Sequence, residues 1–215
     1  MSLEVLSALQ CLIERLHGTS AGLDVRSFLV AEASWRELPG ARAGLLEQLF
    51  VREGAEGMDL GLYLAPEVVR GLTHDNPQRC LHAGNLELFC IALEGVSHFV
   101  LVAWRATIGR PVTPLELEMQ AEVDKFVAAW LLLAEQGQPL ISSAEPLMRQ
   151  LFAAYALSSA TPTEERERYL VASRVAQRFC LDLAKSFSYD VDGGRIQRAV
   201  HRFVRQELCE KLRAA

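Results

Sequence analysis

Residues 86–106 read L-E-L-F-C-I-A-L-E-G-V-S-H-F-V-L-V-A-W-R-A, an apolar run interrupted by Glu87, Glu94, His98 and Arg105. Those four residues stand at offsets of 0, 7, 11 and 18. At about 100° per residue the offsets return to nearly one side of a helix, so the run predicts a central helix with a single polar seam. Gly95 sustains a rival reading, a helix ending near Leu93 followed by a strand over 97–105. A membrane span is not expected, because each charge would cost a few kcal/mol in the middle of a bilayer.

Before this run the periodicity changes twice. Leu6, Leu9, Ile13 and Leu16 recur at steps of three and four and Gly18 follows them, which predicts an amphipathic helix over 2–17. Val25–Glu32 is β-rich, and Met58, Leu60, Leu62 and Leu64 alternate with Asp59, Gly61 and Tyr63 in the two-residue period of a half-buried strand. Residues 47–53 and 58–64 therefore read as two arms of a hairpin turning at 54–57, against a rival helix over 41–53 closed by Gly54.

After Pro66 the chain reads as helical. Thr113-Pro114-Leu115-Glu116 combines an N-cap hydroxyl, a proline in the first turn and a glutamate three residues on, and opens a helix to about Glu135. Thr161-Pro162-Thr163-Glu164 repeats the device before a helix to about Lys185, burying Tyr169, Ala172, Ala176, Phe179 and Leu183. A shorter helix near 144–156 and a last one over about 194–213 complete the expectation. The fold class is α+β: a mainly α-helical bundle of about five or six helices with a small N-terminal antiparallel β-sheet. One domain is expected over 1–215, with the first helix and sheet in about 1–70 and the helical part in about 71–215.

Hydrophobic residues make up 50% of the 215 and charged residues 23%, a composition that leaves disorder and low complexity improbable. Net charge is −5, which disfavours nucleic acid as a whole-surface partner. The charge is uneven: residues 1–163 sum to −8 and residues 164–215 to +3. Cys11, Cys80, Cys90, Cys180 and Cys209 are scattered and odd in number, and no basic stretch precedes the first helix, so a reducing cytoplasm fits best.

Four constellations could carry chemistry. Glu94 and His98 are one helical turn apart, and Glu118 and Glu122 repeat that spacing on the next long helix, the ingredients of a divalent metal site between helices. A di-iron bundle would want a second histidine, and the competing role is a buried pair neutralised internally or by Arg105. His74, Cys80 and His82 fall short of the four ligands of a structural zinc site, and a Cys–His nucleophilic pair would draw on Cys80 or Cys90 with His98. Asp190-Val191-Asp192-Gly193-Gly194 resembles a calcium loop only superficially and reads as a turn and helix cap.

The fourth is a stripe of Arg195, Arg198, Arg202 and Arg205 on the last helix, opposite Ile196, Val200, Phe203, Val204 and Leu208. Planar guanidinium forks in a row suit phosphates or carboxylates, whether on a partner or on this chain's own acidic helix at Glu116, Glu118, Glu122 and Asp124. Glycine-rich phosphate loops, G-x-S-x-G elbows and H-E-x-x-H pairs are absent from the sequence. The phrases E-G-V-S-H-F and E-L-E-M-Q-A-E-V-D-K-F are distinctive in the manner of a bacterial-type family. The expected function is a non-catalytic, cytoplasmic, regulatory or adaptor protein that binds a protein partner through charged helical faces, with homo-oligomers open. Its alternatives are a metal-dependent enzyme using the Glu/His cluster, and nucleic-acid binding by the basic C-terminal helix.

Overall fold

The computed structural model describes residues 3–55, 57–152, 163–186 and 193–213. It divides into two compact units, residues 1–14 with 20–110, and residues 15–19 with 111–215. Among the described residues there are nine α-helices and one two-stranded antiparallel sheet, a mainly helical α+β architecture. The helices outnumber the five or six expected because three of them, Glu32–Trp35, Pro66–His74 and Leu208–Arg213, are too short to show a period in the sequence.

The first unit begins with α1 (Glu4–His17), whose Leu6, Leu9 and Ile13 are fully buried. Gln10 on this helix secures the following segment: its Nε2 donates to Leu23 O and to Glu14 Oε1, and its Oε1 accepts from Val25 N at 2.9 Å. The expected strand over 25–32 is therefore replaced. Val25–Phe28 forms a short 3-10 helix capped by Asp24, and Glu32–Trp35 forms α2. What survives of the β-character is a single parallel bridge, Leu29 to Leu62, with Val30 N donating to Leu62 O at 2.9 Å. A capping aspartate and a buried glutamine that satisfy the backbone locally leave no need for a ladder.

The hairpin reading holds and its rival, a helix over 41–53, does not. Strands β1 (Glu47–Gly54) and β2 (Gly57–Leu64) pair with Glu47 opposite Leu64 and Leu49 opposite Leu62. Alternation then puts Glu47, Leu49, Leu62 and Leu64 on one face and Gln48, Phe50, Gly61 and Tyr63 on the other. On the second face Trp35 stacks on Tyr63 at 4.1 Å between ring centroids, and its Nε1 donates to Gln48 Oε1. On the first face lies α4 (Leu86–Thr107), which follows α3 (Pro66–His74) and packs on it as well as on both strands.

The strand reading of 97–105 is thus excluded, and Gly95 has a packing explanation. A Cβ there would come within 2.7 Å of Glu47 Cγ and 2.8 Å of Leu62 Cδ1. The missing side chain lets the hairpin approach the helix, at the cost of a weak helix former in its middle. Among the described residues α4 is the one helix long and apolar enough to cross a membrane, and 72% of its most apolar window is buried in protein.

In the second unit α5 (Pro114–Glu135) starts at the expected capping box: Thr113 Oγ1 accepts from Glu116 N, and Glu116 Oε2 accepts from Thr113 N at 3.0 Å. Helix α6 (Leu140–Phe152) starts four residues earlier than expected, because buried Trp130 donates its Nε1 proton to Leu140 O at 2.8 Å and fixes the first turn. Helix α7 (Thr163–Ser186) buries Ala172, Ala176, Cys180 and Leu183, while Tyr169 and Phe179 are only half-buried. The other half of its expected cap, Thr161 and Pro162, lies outside the described residues, as do Asp190 and Asp192 and the predicted end of α6 beyond Phe152.

The single terminal helix expected over 194–213 is two helices, α8 (Gly193–Arg205) and α9 (Leu208–Arg213). Gln206 N closes α8 by donating to Arg202 O and Phe203 O, and Glu210 Oε2 accepts from Glu207 N at the start of α9. A carboxylate placed to cap a new N-terminus interrupts the helix without glycine or proline.

Replacing Gly95 with alanine separates two effects. Propensity alone would stabilise α4 by about 0.5–1 kcal/mol. The crowding against Leu62 and Glu47 is expected to win, with a net destabilisation of about 1–3 kcal/mol in urea unfolding. An unchanged or raised midpoint contradicts the close approach.

Candidate functional site

In the first unit the polar seam of α4 meets the start of β1. His98 is 7% exposed and Glu94, one turn before it, is half-buried; a Glu94 carboxylate oxygen and a ring nitrogen of His98 lie within 4.8 Å of one another. Glu47 crosses in front of Gly95 and brings its Oε1 to 3.8 Å from His98 Nδ1. That separation exceeds a hydrogen bond, so the contact is electrostatic. Arg105, 3% exposed, carries its guanidinium 5.3 Å from the ring centroid of Trp104. It stands two turns, about 10 Å of helix rise, beyond His98.

Glu118 and Glu122, the other half of the expected metal set, belong to the second unit and have basic neighbours there. Glu118 Oε1 lies 3.8 Å from Arg168 Nε, and Glu122 Oε1 accepts from Lys125 Nζ at 2.5 Å. Within the first unit the hairpin brings Glu47 beside His98, and Glu94 stands one turn before His98 on α4. Glu47 was missed because a strand residue 47 positions before Glu94 has no spacing signal connecting it to a helix.

The loop after α3 is built by Asn85, whose Nδ2 donates to Cys80 O and whose Oδ1 accepts from His82 N. His82 is occupied at both nitrogens: Nδ1 accepts from Gly84 N at 3.1 Å, and Nε2 faces Asp75 Oδ2 at 3.1 Å. No ring nitrogen remains to activate the exposed thiol of Cys80. Among the described residues His74, Cys80 and His82 do not form a ligand set. Cys90 and His98 are eight residues apart on one helix, about 12 Å of rise, too far for a nucleophile and its base.

In the second unit the acidic helix expected to face outward turns inward: Glu116, Glu118, Glu122 and Asp124 are all buried. Asp124 is held by His17, whose Nε2 lies 2.7 Å from Oδ2, and by Gln120, whose Nε2 donates to Oδ1 at 2.9 Å. All three are fully buried. Burial, then the nearby carboxylates of Glu122 and Asp124, push the Cys180 thiol well above its ordinary range and keep it protonated. This polar interior is closed to substrate and reads as structural.

His17 reaches that interior because the end of α1 is clasped by α8. Arg205 Nη1 donates to His17 O at 2.8 Å, its Nη2 donates to Gly18 O at 2.9 Å, and His201 Nε2 is 3.0 Å from Arg15 O. Gly18 has φ +59, and a Cβ on it would strike the His201 ring. Arg205 is therefore a helix C-cap within the chain, which removes it from the expected partner-binding stripe. Arg195, Arg198 and Arg202 keep exposed positions on α8, opposite buried Ile196, Val200, Phe203 and Val204.

A cleft of about 290 Å3 opens between α6 and α7 above Trp130. Its walls are Ile141, Ala144 and Met148 on one side and Leu181 and Ala184 on the other, bordered by Glu145, Arg149, Gln177 and Lys185. Ile141 is 59% exposed and Leu181 38%. The sequence signal for it is a second apolar stripe on α6, Ile141 and Met148, offset from the buried Leu140, Ala144 and Leu147. Comparison with protein-family models, with curated proteins and with solved structures returned no match.

Removing the Asp124 carboxylate as alanine leaves His17 and Gln120 without their buried partner, and an unfolding loss of about 3–5 kcal/mol is expected by denaturant titration. Cys180 supplies a pH test. Its folded state keeps a proton that the unfolded thiol releases near about pH 8.5, so stability falls as pH rises through and above that value. Cys180→Ala is expected to remove that part of the alkaline loss. Native alkylation should mark the exposed Cys11, Cys80 and Cys209 and spare Cys180 until unfolding; early labelling of Cys180 contradicts the sealed interior.

Proposed function

We propose that this chain is a non-catalytic interaction protein whose second unit seats an acidic amphipathic helix of a protein partner in the cleft between α6 and α7. The observation that carries the reading is the exposure of Ile141 and Leu181 on opposite walls of one apolar cleft. A helix recognised in this way inserts residues spaced three and four apart between two parallel walls. On α7 the stripe continues in both directions, since Leu170, Gln177, Leu181 and Ala184 fall at offsets of 0, 7, 11 and 14 and return to one side of the helix.

Charge argues for the sign of the partner. Arg149 and Lys185 against Glu145 leave the border of the cleft at +1, and α7 with the residues after it sits in the basic part of the sequence, +3 over 164–215. The Arg149–Glu145 pair at 3.1 Å is exposed on both sides, so it costs little to exchange Glu145 for a partner's carboxylate. The exposed Arg195, Arg198 and Arg202 add to the same positive field and to the rate at which an acidic partner is captured. A regulatory or adaptor role in the cytoplasm follows from this reading and from the unpaired spacing of the cysteines.

A fluorescein-labelled synthetic helix of about five turns, with leucine at three- and four-residue steps and glutamate on its flanks, is expected to bind saturably. Lysine on the flanks, or the joint change Ile141→Asp and Leu181→Asp in the protein, should weaken binding about tenfold or more. Equal polarisation titrations for the acidic helix and its scrambled sequence, or wild-type affinity in the doubly substituted protein, refute the proposal.

A further inference from the structure

We infer that two copies of this chain associate through the free edge of β1, the two β1 strands running antiparallel across a two-fold axis at Val51. This surface lies in the first unit and does not depend on the helix-binding cleft.

The hydrogen-bond pattern of the hairpin defines the edge. Residues opposite one another in an antiparallel pair alternate between exchanging both backbone bonds and exchanging neither. Ala65 N donates to Leu46 O at 2.8 Å, which places that pair in the first class. Alternation along the register adds Gln48 with Tyr63, Phe50 with Gly61, Arg52 with Asp59 and Gly54 with Gly57. The residues between them point their N–H and C=O groups outward. On β2 the outer side is used, since Val30 N donates to Leu62 O. On β1 it is open: among the described residues the outward groups of Leu49, Val51 and Glu53 meet no partner.

The form of that edge is the second observation. β1 is eight residues long, every one opposite a residue of β2, with no proline and no bulge. Folded proteins ordinarily blunt a bare edge by such devices or keep it short. The outer half of β1, Val51 to Gly54, is exposed, and Val51, 45% exposed, sets an apolar side chain beside the open backbone. A row of alternating donors and acceptors is satisfied by one kind of ligand, another extended strand.

Charge selects this chain's own β1 as that strand. Outward-facing residues must oppose one another, so two β1 strands meet only in registers centred on a residue. Centred on Phe50, Glu47 stands opposite the partner's Glu53 at both ends; centred on Arg52, that arginine stands opposite its own copy. Like charges directly opposed are destabilising. Centred on Leu49, the exposed end of each strand runs past the start of the other. Centred on Val51, the strands overlap through their exposed halves and no charges of one sign are opposed. Val51 then exchanges both backbone bonds with the partner's Val51, and Leu49 does so with the partner's Glu53. On the other face Arg52, oriented within its own hairpin by Asp59 at 2.6 Å, comes opposite the partner's Phe50, where a guanidinium and a ring attract.

Sedimentation equilibrium of the full chain in reducing buffer tests this directly. Between about 1 μM and about 1 mM the mass is expected to rise from that of one chain toward that of two. Val51→Lys sets two like charges on the axis, and Val51→Pro removes the central donor while sparing the bonds to β2. Each should weaken association about tenfold or more. The joint change Ile141→Asp and Leu181→Asp should leave it unaltered. Circular dichroism establishes that each variant is folded; if Val51→Pro does not fold, Val51→Lys decides, because its side chain is exposed. Cysteine reads the register. With the exposed cysteines Cys11, Cys80 and Cys209 changed to serine, Val51→Cys is expected to crosslink two chains under mild oxidation. Cα atoms of a hydrogen-bonded pair stand about 5.5 Å apart, within disulfide reach. Glu53→Cys, opposite the partner's Leu49, should not crosslink. A single-chain mass throughout the concentration range, undiminished dimers in Val51→Lys, or equal crosslinking from 51 and 53 overturns the inference. So does loss of dimers in the Ile141→Asp and Leu181→Asp protein.

Discussion

Ionisable side chains on buried helices must be compensated where they stand, because an uncompensated charge in the interior costs several kcal/mol. Much of the structure follows from that constraint. In the first unit it draws Glu47 of β1 toward His98 of α4. In the second it places His17 on Asp124, Lys125 on Glu122 and Arg168 beside Glu118. Pairings of this kind contribute little net stability compared with apolar packing of the same volume, but they punish misregister severely. A hairpin slipped by one residue would turn Glu47 to the Trp35 side of the sheet and Gln48 toward α4.

The same constraint settles what is left for recognition. With Glu116, Glu118, Glu122 and Asp124 turned inward, α5 exposes only Glu135 of its acidic residues, and with Arg205 bonded to the end of α1 the arginine stripe shortens to three. Charge on a helix face is therefore a poor guide to the surface of this protein. The apolar side chains that remain outside are more informative where they come together, and Ile141 and Leu181 do so across one cleft while others, such as Val51 and Ile108, stand elsewhere.

What the sequence made legible was local. The capping box at Thr113 and Glu116, the seam of α4 and the alternation of β2 each specify backbone through residues only a few positions apart, and each is found where expected. Gly95 was legible as an anomaly but not as a reason, because its neighbours Glu47 and Leu62 come from a different element. The same distance in sequence hid Gln10's hold on Val25 and Glu47's approach to His98. The strand expected over 25–32 failed through competition: Asp24 and Gln10 satisfied its backbone before any ladder formed. The break between α8 and α9 is equally quiet, since Glu207 and Glu210 are ordinary helix formers and only their hydrogen bond marks a new start.

Gly95 ties the hairpin of the first unit to its central helix. A glycine in the middle of a long apolar helix weakens that helix, and the return is the nearness of the hairpin. Glu47 and Leu62, one from each strand of the hairpin, both occupy the space that a side chain at 95 would take. The glycine therefore fixes how closely both strands approach α4, and with that the register that turns Glu47 rather than Gln48 toward the helix.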